Sequence, residues 1–173
     1  MKIPKLEKIM QFKTSFLTML TKTARDMHVN YIFRTARSPD GAKFKKLSKK
    51  YMRNKASKYN STKANLVASG HLLNELKPQK PQKIGGGSDG RTNIILTYGI
   101  KSGSTHKRNK GTIKTGELMN LHQNGTRTMP ARDIAGESVL PKATRDKVVE
   151  LLVNQLNINI EGALRPNKTT ENL

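Results

Sequence analysis

Cysteine and tryptophan are both absent from the 173-residue chain. The first absence excludes disulfides and thiolate metal sites; the second leaves mainly aliphatic side chains to fill whatever core forms. Aromatic residues reach only 5% and hydrophobic residues 34%, so that core is lean, although the length favours one domain with room for it. Acidic residues are scarce as well. Twelve Asp and Glu face 33 Lys and Arg, a formal net charge of +21 with a pI near 10.4. Self-repulsion at this charge disfavours a compact isolated monomer, and polyanions or acidic partners relieve it. No apolar run approaches the roughly 18 residues of a membrane span, and no signal peptide opens the chain, so a soluble protein made in a cytoplasm is expected. The four histidines, His28, His71, His106 and His122, show no ligand spacing such as HxxxH. Neither a metal nor another cofactor is expected.

What is present begins with helical periodicity. Over residues 3–33, Leu6, Ile9, Met10, Phe16, Leu17, Leu20, Met27 and Tyr31 recur at spacings of three, four and seven, the mark of one apolar face. Pro4 suits the first turn of such a helix, Lys5, Lys8, Lys22 and Arg25 lie elsewhere around it, and His28 to Asn30 is the place for a break. A turn follows at Pro39-Asp40-Gly41, because Pro pre-sets φ and Gly tolerates the exit geometry. Ser48 then suits the N-cap of a basic helix within residues 44–59, where Leu47, Tyr51, Lys55 and Tyr59 share a face beside Met52 and Ala56. From Gly41 to Asn74 there are nine Lys and Arg and no acid. A charge run is usually a solvated face, but Lys45, Lys46, Lys49, Lys50 and Arg53 are also candidate contacts to a polyanion or an acidic partner.

Residues 69–78 read as a short helix capped by Ser69, edged by Leu72, Leu73 and Leu76, and stopped by Pro78. Residues 79–90 read as a linker or hairpin turn whose triple glycine lacks the GK[ST] ending of a phosphate loop. Residues 91–101 are β-branched and apolar, the best strand signal in the chain. Residues 102–112 are polar and basic, an expected exposed loop in which Lys107, Arg108 and Lys110 form a second candidate set for anionic contacts. A last helix is expected from about Pro141 to Ile158, with Val149, Leu152, Val153, Leu156 and Ile160 along one side. Residues 162–173 read as a flexible polar tail. The sum is a single α+β domain over residues 1–161, with a small antiparallel sheet packed with a long N-terminal helix and a C-terminal helix.

Residues 121–138, LHQNGTRTMPARDIAGES, are the most particular run. Leu118, Met119 and Leu121 anchor a short helix or strand end, Asn124-Gly125 permits positive φ, and Met129-Pro130 forces extended geometry before Ala131. The next segment is then placed to enter the sheet as an edge or return strand. The polar edges of His122 and Gln123 suit backbone groups at the turn, and Arg132 suits a carboxylate such as Glu137. A general-base role for His122 lacks an orienting acid and a nucleophile, so the stretch reads as architecture and no enzyme is expected.

Four landmarks in order, RSPDGAKFKKLSKKYMRNK, ASGHLLNELK, LMNLHQNG and TMPARDIAGES, resemble the virion morphogenesis proteins of tailed phages, the tail-completion and neck proteins of the head–tail junction. The resemblance covers roughly residues 34–160. It implies structural roles for Pro39, Asp40, Gly41, Phe44, Leu47 and Ser48, then for Ser69, Gly70 and Leu72. It continues through His122, Gln123, Gly125, Pro130, Ala131 and Arg132 to Gly136. Phe44 stands where Trp is common, Ser69 where Thr is, and Asp133-Ile134-Ala135 replaces a more apolar run. The implied function is a virion protein that forms or completes a homo-oligomeric ring, contacting portal-proximal, stopper, terminator or tail-tube proteins and possessing no catalytic, cofactor or metal residues.

Charge qualifies that picture. Duplex DNA threading a layer about 40 Å thick presents roughly 24 phosphates, and a hypothetical ring of about six subunits carries roughly fivefold more positive charge. Most Lys and Arg are therefore expected on outer surfaces or against acidic neighbours, with non-specific DNA contact for a minority. The alternative is a basic nucleic-acid-binding protein, ribosomal or regulatory, although zinc-finger, aromatic-platform and helix-turn-helix patterns are missing. A nuclease is a weaker rival: Asp26, Asp40, Asp89, Asp133 and Glu137 form no close metal-binding pair beyond the ordinary spacing of the last two.

Overall fold

The computed structural model describes residues 9–63, 70–84, 93–108, 111–127, 129–134 and 140–164. Its spine is helix α1, Thr14–Thr35. Leu17, Leu20, Thr21, Ala24, His28, Val29, Ile32 and Phe33 are buried along one side, at the three- and four-residue spacings that a core-facing stripe requires. The stripe is rotated from the expected one, since Met27 and Tyr31 are only half-buried. The break also lies elsewhere. His28 to Asn30 are helical, whereas Gln11 to Lys13 are not. Lys13 is extended at the N-cap, with φ −64° and ψ 143°, and Phe12 folds under the helix start, stacked on Phe16 at 5.6 Å. Residues 1–8, which include Pro4, Lys5, Leu6 and Lys8, lie outside the described residues.

Ala36 ends α1 in the left-handed conformation, its N–H bonded to the Ile32 carbonyl. The chain then reverses through the expected turn. Gly41 takes φ +96° and its N–H donates to the Ser38 carbonyl at 2.9 Å, while Ser38 N–H donates to Ala42 O at 2.9 Å. The Asp40 carboxylate accepts from the Ser38 hydroxyl and the Ala42 N–H. Those bonds hold its pKa below the usual value, the Ser38 bond being the larger cause. The reversal delivers Phe44 into the core beside Val29, Ile32 and Phe33. Ser48 caps α2, Lys49–Tyr59, accepting from the Tyr51 N–H at 3.3 Å.

Helix α3, His71–Glu75, is shorter than expected. Its N-cap is Gly70, at φ 75°, and Ser69 lies outside the described residues. Pro78 does not stop it; the helix ends at Glu75, and Leu76–Pro78 is strand β1. Arg25, placed by its spacing on an outer face of α1, instead reaches this end. Its Nε donates to Leu76 O at 2.5 Å and a terminal nitrogen to Leu73 O at 2.7 Å, satisfying carbonyls that a helix terminus leaves open. Leu72 and Leu76 complete the core with Ile134.

The expected strand at 91–101 is divided into β3, Asn93–Ile95, and β4, Tyr98–Ile100. Strand β4 pairs antiparallel with β1, and β3 with β2, Gln82–Ile84. The pairs Pro78↔Tyr98 and Gln82↔Ile95 leave three residues, 79–81, opposite two, 96–97. That unequal count is a bulge, and Pro81, which has no N–H to donate, sits in it. The stretch 79–90 is thus partly strand, with 85–92 outside the described residues.

The expected basic loop is a hairpin: β5, Thr105–Arg108, pairs with β6, Gly111–Lys114. It leads straight into α4, Thr115–Asn124. The last helix, α5, spans Lys142–Leu164, beyond the expected end at Ile158 and past Gly162, where the tail was placed; 165–173 lie outside the described residues. The α+β expectation holds. The β structure, however, comprises three two-stranded antiparallel ribbons among the described residues, not one sheet; after Ala131, residues 132–134 are irregular and not strand, and 135–139 lie outside the described residues.

Candidate functional site

The 121–134 run is a return onto the end of α4. Gly125 adopts φ 74° and ψ −177°, a region essentially reserved for glycine. A Cβ there would lie 2.6 Å from Ala131 N and 2.8 Å from Met129 O, so the close crossing of the two limbs also requires its absence. Thr126 and Met129 close the turn with reciprocal backbone bonds of 2.7 and 3.2 Å. Arg132 N–H donates to His122 O at 2.8 Å. The Gln123 amide clamps the returning strand of chain: its oxygen accepts from Ile134 N–H at 2.8 Å and its nitrogen donates to Asp133 Oδ1 at 2.5 Å. The expected backbone-satisfying role thus falls to the Gln123 side chain and to the His122 carbonyl. Gly136 and Glu137 lie outside the described residues.

This return places Arg132 against α2. Together with α3 and β5 they enclose a pocket of about 820 Å³. Its cations are Lys46, Lys55, Lys58 and Arg132, and its imidazoles are His71, His106 and His122. Leu47, Leu72, Leu118, Met129 and Pro130 supply an apolar wall, with Tyr51 and Tyr59 beside it, and no Asp or Glu among the described residues lines it. Arg132 is only 4% exposed, and its Nε has no hydrogen-bond partner among the described residues. Burial lowers its pKa, with Tyr51 pulling the other way. Lys55 is equally buried and donates to Lys63 O at 2.5 Å; burial, then the nearby Arg132, lowers its pKa. Two desolvated cations side by side are costly unless an anion joins them.

One flank of the pocket is fixed by a hydrogen-bonded chain. Glu75 accepts from the Ser104 hydroxyl at 2.7 Å, Ser104 lies 3.0 Å from the Thr115 hydroxyl, and Thr115 lies 3.0 Å from His71 Nε2. The bond from Ser104 is the main reason that the Glu75 pKa falls below its usual value. His71 in turn lies against His106, ring centroids 4.5 Å apart. Elsewhere, between α1 and β4, the His28 ring is hydrogen-bonded to the Tyr98 hydroxyl. Burial lowers the His28 pKa against the opposing pull of the Ile134 backbone and Asp133, and burial pushes Tyr98 up to about 12.

The residues singled out from the sequence divide. Phe44 and Leu72 meet in the core, Leu47, Ser48, Gly70, His122, Pro130 and Arg132 line the pocket, and Ala131 is exposed. Of the candidate anion contacts among the described residues, only Lys46 reaches the pocket. Lys45, Lys49, Lys50, Arg53 and Lys107 are exposed, while the Arg108 side chain and Lys110 lie outside the described residues. Sequence reasoning missed Lys58, His71 and His106 as pocket residues. The spacing of Tyr51, Lys55, Lys58 and Tyr59 on one face of α2 was the available signal.

A second surface lies on α5. Thr144 is its single buried residue among those described, while Val149, Val153, Ile158, Ile160 and Leu164 are 56%, 47%, 60%, 39% and 52% exposed. At about 100° per residue Val149, Val153, Ile160 and Leu164 fall within an arc of about 60°, an exposed apolar stripe, whereas Ile158 lies about 180° from Val149. Among the described residues no helix is long and apolar enough to cross a membrane, and no group of three or more His, Asp or Glu is placed to hold a metal ion. Comparison with protein-family models, curated proteins and solved structures gives no match.

Proposed function

We propose that the chain is a structural virion protein of a tailed phage, a neck or tail-completion subunit that joins a ring at the head–tail connector. The work proposed is assembly and not catalysis, and the proposed location is the head–tail junction of the virion, after synthesis in the bacterial cytoplasm. The observation that carries the reading is the α5 stripe: four of the five exposed large apolar side chains of this helix share one narrow face, which is what a helix presents when its partner is another chain. The ordered landmarks support the same reading, since their Phe44 and Leu72 meet in one core cluster and their Pro39–Gly41 and Gly125 turns form where the residues stand. A ring subunit must meet identical neighbours through two different surfaces, and the α5 stripe and the 105–114 hairpin are the proposed pair. Portal-proximal adaptor or stopper proteins and tail-terminator or tube proteins are the proposed neighbours, with only non-specific DNA contact.

The test mixes the purified protein with portal-proximal and tail-tube proteins and images the products by electron microscopy. Rings that persist at raised salt, with weak and sequence-blind DNA retention, are expected. Tight, sequence-selective binding of DNA or RNA by the monomer, falling steeply with salt, overturns the reading in favour of a nucleic-acid-binding protein.

A further inference from the structure

The pocket between α2, α3 and the return after α4 shares only His106 with the hairpin proposed above as a contact, and its lining brings cations, imidazoles and apolar side chains together. Its volume of about 820 Å³ lies within the usual range for bound ligands, about 300–1,000 Å³. Four cationic side chains and three imidazoles face it without an acidic residue among the described lining. Arg132 is the decisive group. A planar guanidinium matches a carboxylate or phosphate through paired donors, and this one is 4% exposed with its Nε unmatched among the described residues. Its backbone is fixed by the bond to His122 O and by the Gly125 crossing, which sets the position from which the buried side chain joins the pocket lining.

We infer that this pocket binds an acidic segment of a partner protein, a carboxylate pairing with Arg132 while an adjoining apolar side chain packs on the wall formed by Leu118, Met129 and Pro130. Three features choose this occupant. The wall contains five aliphatic or proline side chains and two tyrosines, which suit an apolar side chain next to the charge and not a bare inorganic anion. Arg132 is recessed, whereas a duplex offers its phosphates to protruding side chains; Lys45, Lys49, Lys50 and Arg53 protrude and lie outside the pocket lining. The net charge of +21 complements an acidic neighbour and favours fast encounter with it. The inference names a partner chemistry for the connector reading and rests on that reading for the partner being a protein.

The test uses the full chain and a panel of acetylated heptapeptides of Leu, Phe, Asp and Glu, each paired with its Asn/Gln counterpart. Inorganic phosphate and a short DNA duplex serve as competitors, and binding is followed by calorimetry. At least one acidic peptide is expected to bind about tenfold or more tightly than its neutral counterpart, and R132M to lose about tenfold or more, the usual scale for a charged hydrogen bond. In the absence of peptide, R132M is expected to melt at the same temperature as the natural chain or higher, because an unmatched buried cation has been removed. Should R132M fail to fold, K58M, at an exposed position, replaces it, with several-fold weaker binding expected. The inference is overturned if no acidic peptide is preferred, if R132M or its replacement binds as before, or if phosphate or duplex displaces the peptide more effectively than unlabelled peptide does. Rings that form while every peptide fails discard this inference and leave the connector reading standing; peptide binding without rings does the reverse.

Discussion

Helices α1 and α5 are nearly equal in length, 22 and 23 residues, and comparably mixed in polarity, yet they are used in opposite ways. Helix α1 buries eight residues and α5 one among those described. Part of α1's burial comes from α5, which packs along it and is tied to the N-terminal segment by Asn159, whose side-chain amide donates to Ile9 O at 2.8 Å. The rest of α5 faces outward. A helix draws most of its stability from packing and little from propensity, so α1 organises the fold, while the outer face of α5 adds little to packing within the chain. Two helices of similar length and polarity thus contribute very unequally to the core.

The contrast is broken most strongly in the core. Leu20→Ala, at a fully buried position, is expected to cost about 2–5 kcal/mol in urea denaturation. Val153→Ala, on the exposed stripe, is expected to stay within about 0.5 kcal/mol in the isolated chain. Equal losses at the two positions would erase the distinction. Next, Gly125→Ala meets both the forbidden φ and the 2.6 Å approach to Ala131 N, for an expected loss of about 1–3 kcal/mol; an unchanged midpoint would mean that the return after α4 does not govern the fold.

The join between α1 and β4 sharpens the comparison through pH. Tyr98 titrates at 10.0 unfolded and at about 12 folded, so the folded state keeps the proton longer. Its contribution is full below pH 10 and is lost as pH rises toward 12. Tyr98→Phe is expected to flatten that alkaline limb in a series of denaturation curves. On the acid side, the lowered His28 pKa means that the unfolded chain takes up the proton first, so stability declines as pH falls below 6.5. The smallest effect is a gain: Gly162→Ala, in α5 with nothing near its missing Cβ, is expected to add about 0.5–1 kcal/mol of helix stability, read as raised thermal midpoint.

Local backbone chemistry made much of this legible in the sequence. The Ser48 cap, the Pro39-Asp40-Gly41 reversal and the Gly125 turn each depend on a few adjacent residues, and each occurs where its residues stand. The 105–114 hairpin was not legible because its strands, Thr-His-Lys-Arg and Gly-Thr-Ile-Lys, bury no alternating apolar face; only backbone pairing defines them. The bulge at 79–81 hid for another reason, since it is set by the register of two strands and not by either alone. The start of α1 at Thr14 escaped because apolar periodicity continues across residues 9–13, where Phe12 buries itself without being helical. The pocket was least visible. Lys46, His71, His106 and Arg132 are far apart in the chain, and the crossing at Gly125 is what brings the last of them to the others.

Sedimentation velocity of the natural chain beside a V149S/V153S/I160S variant tests most directly whether the outer face of α5 is an intermolecular surface. The natural chain, alone or with the proposed connector neighbours, is expected to form closed oligomers, and the variant to remain a folded monomer with an unchanged urea midpoint. A variant that assembles as before, or a natural chain that stays monomeric with and without those neighbours, would contradict it.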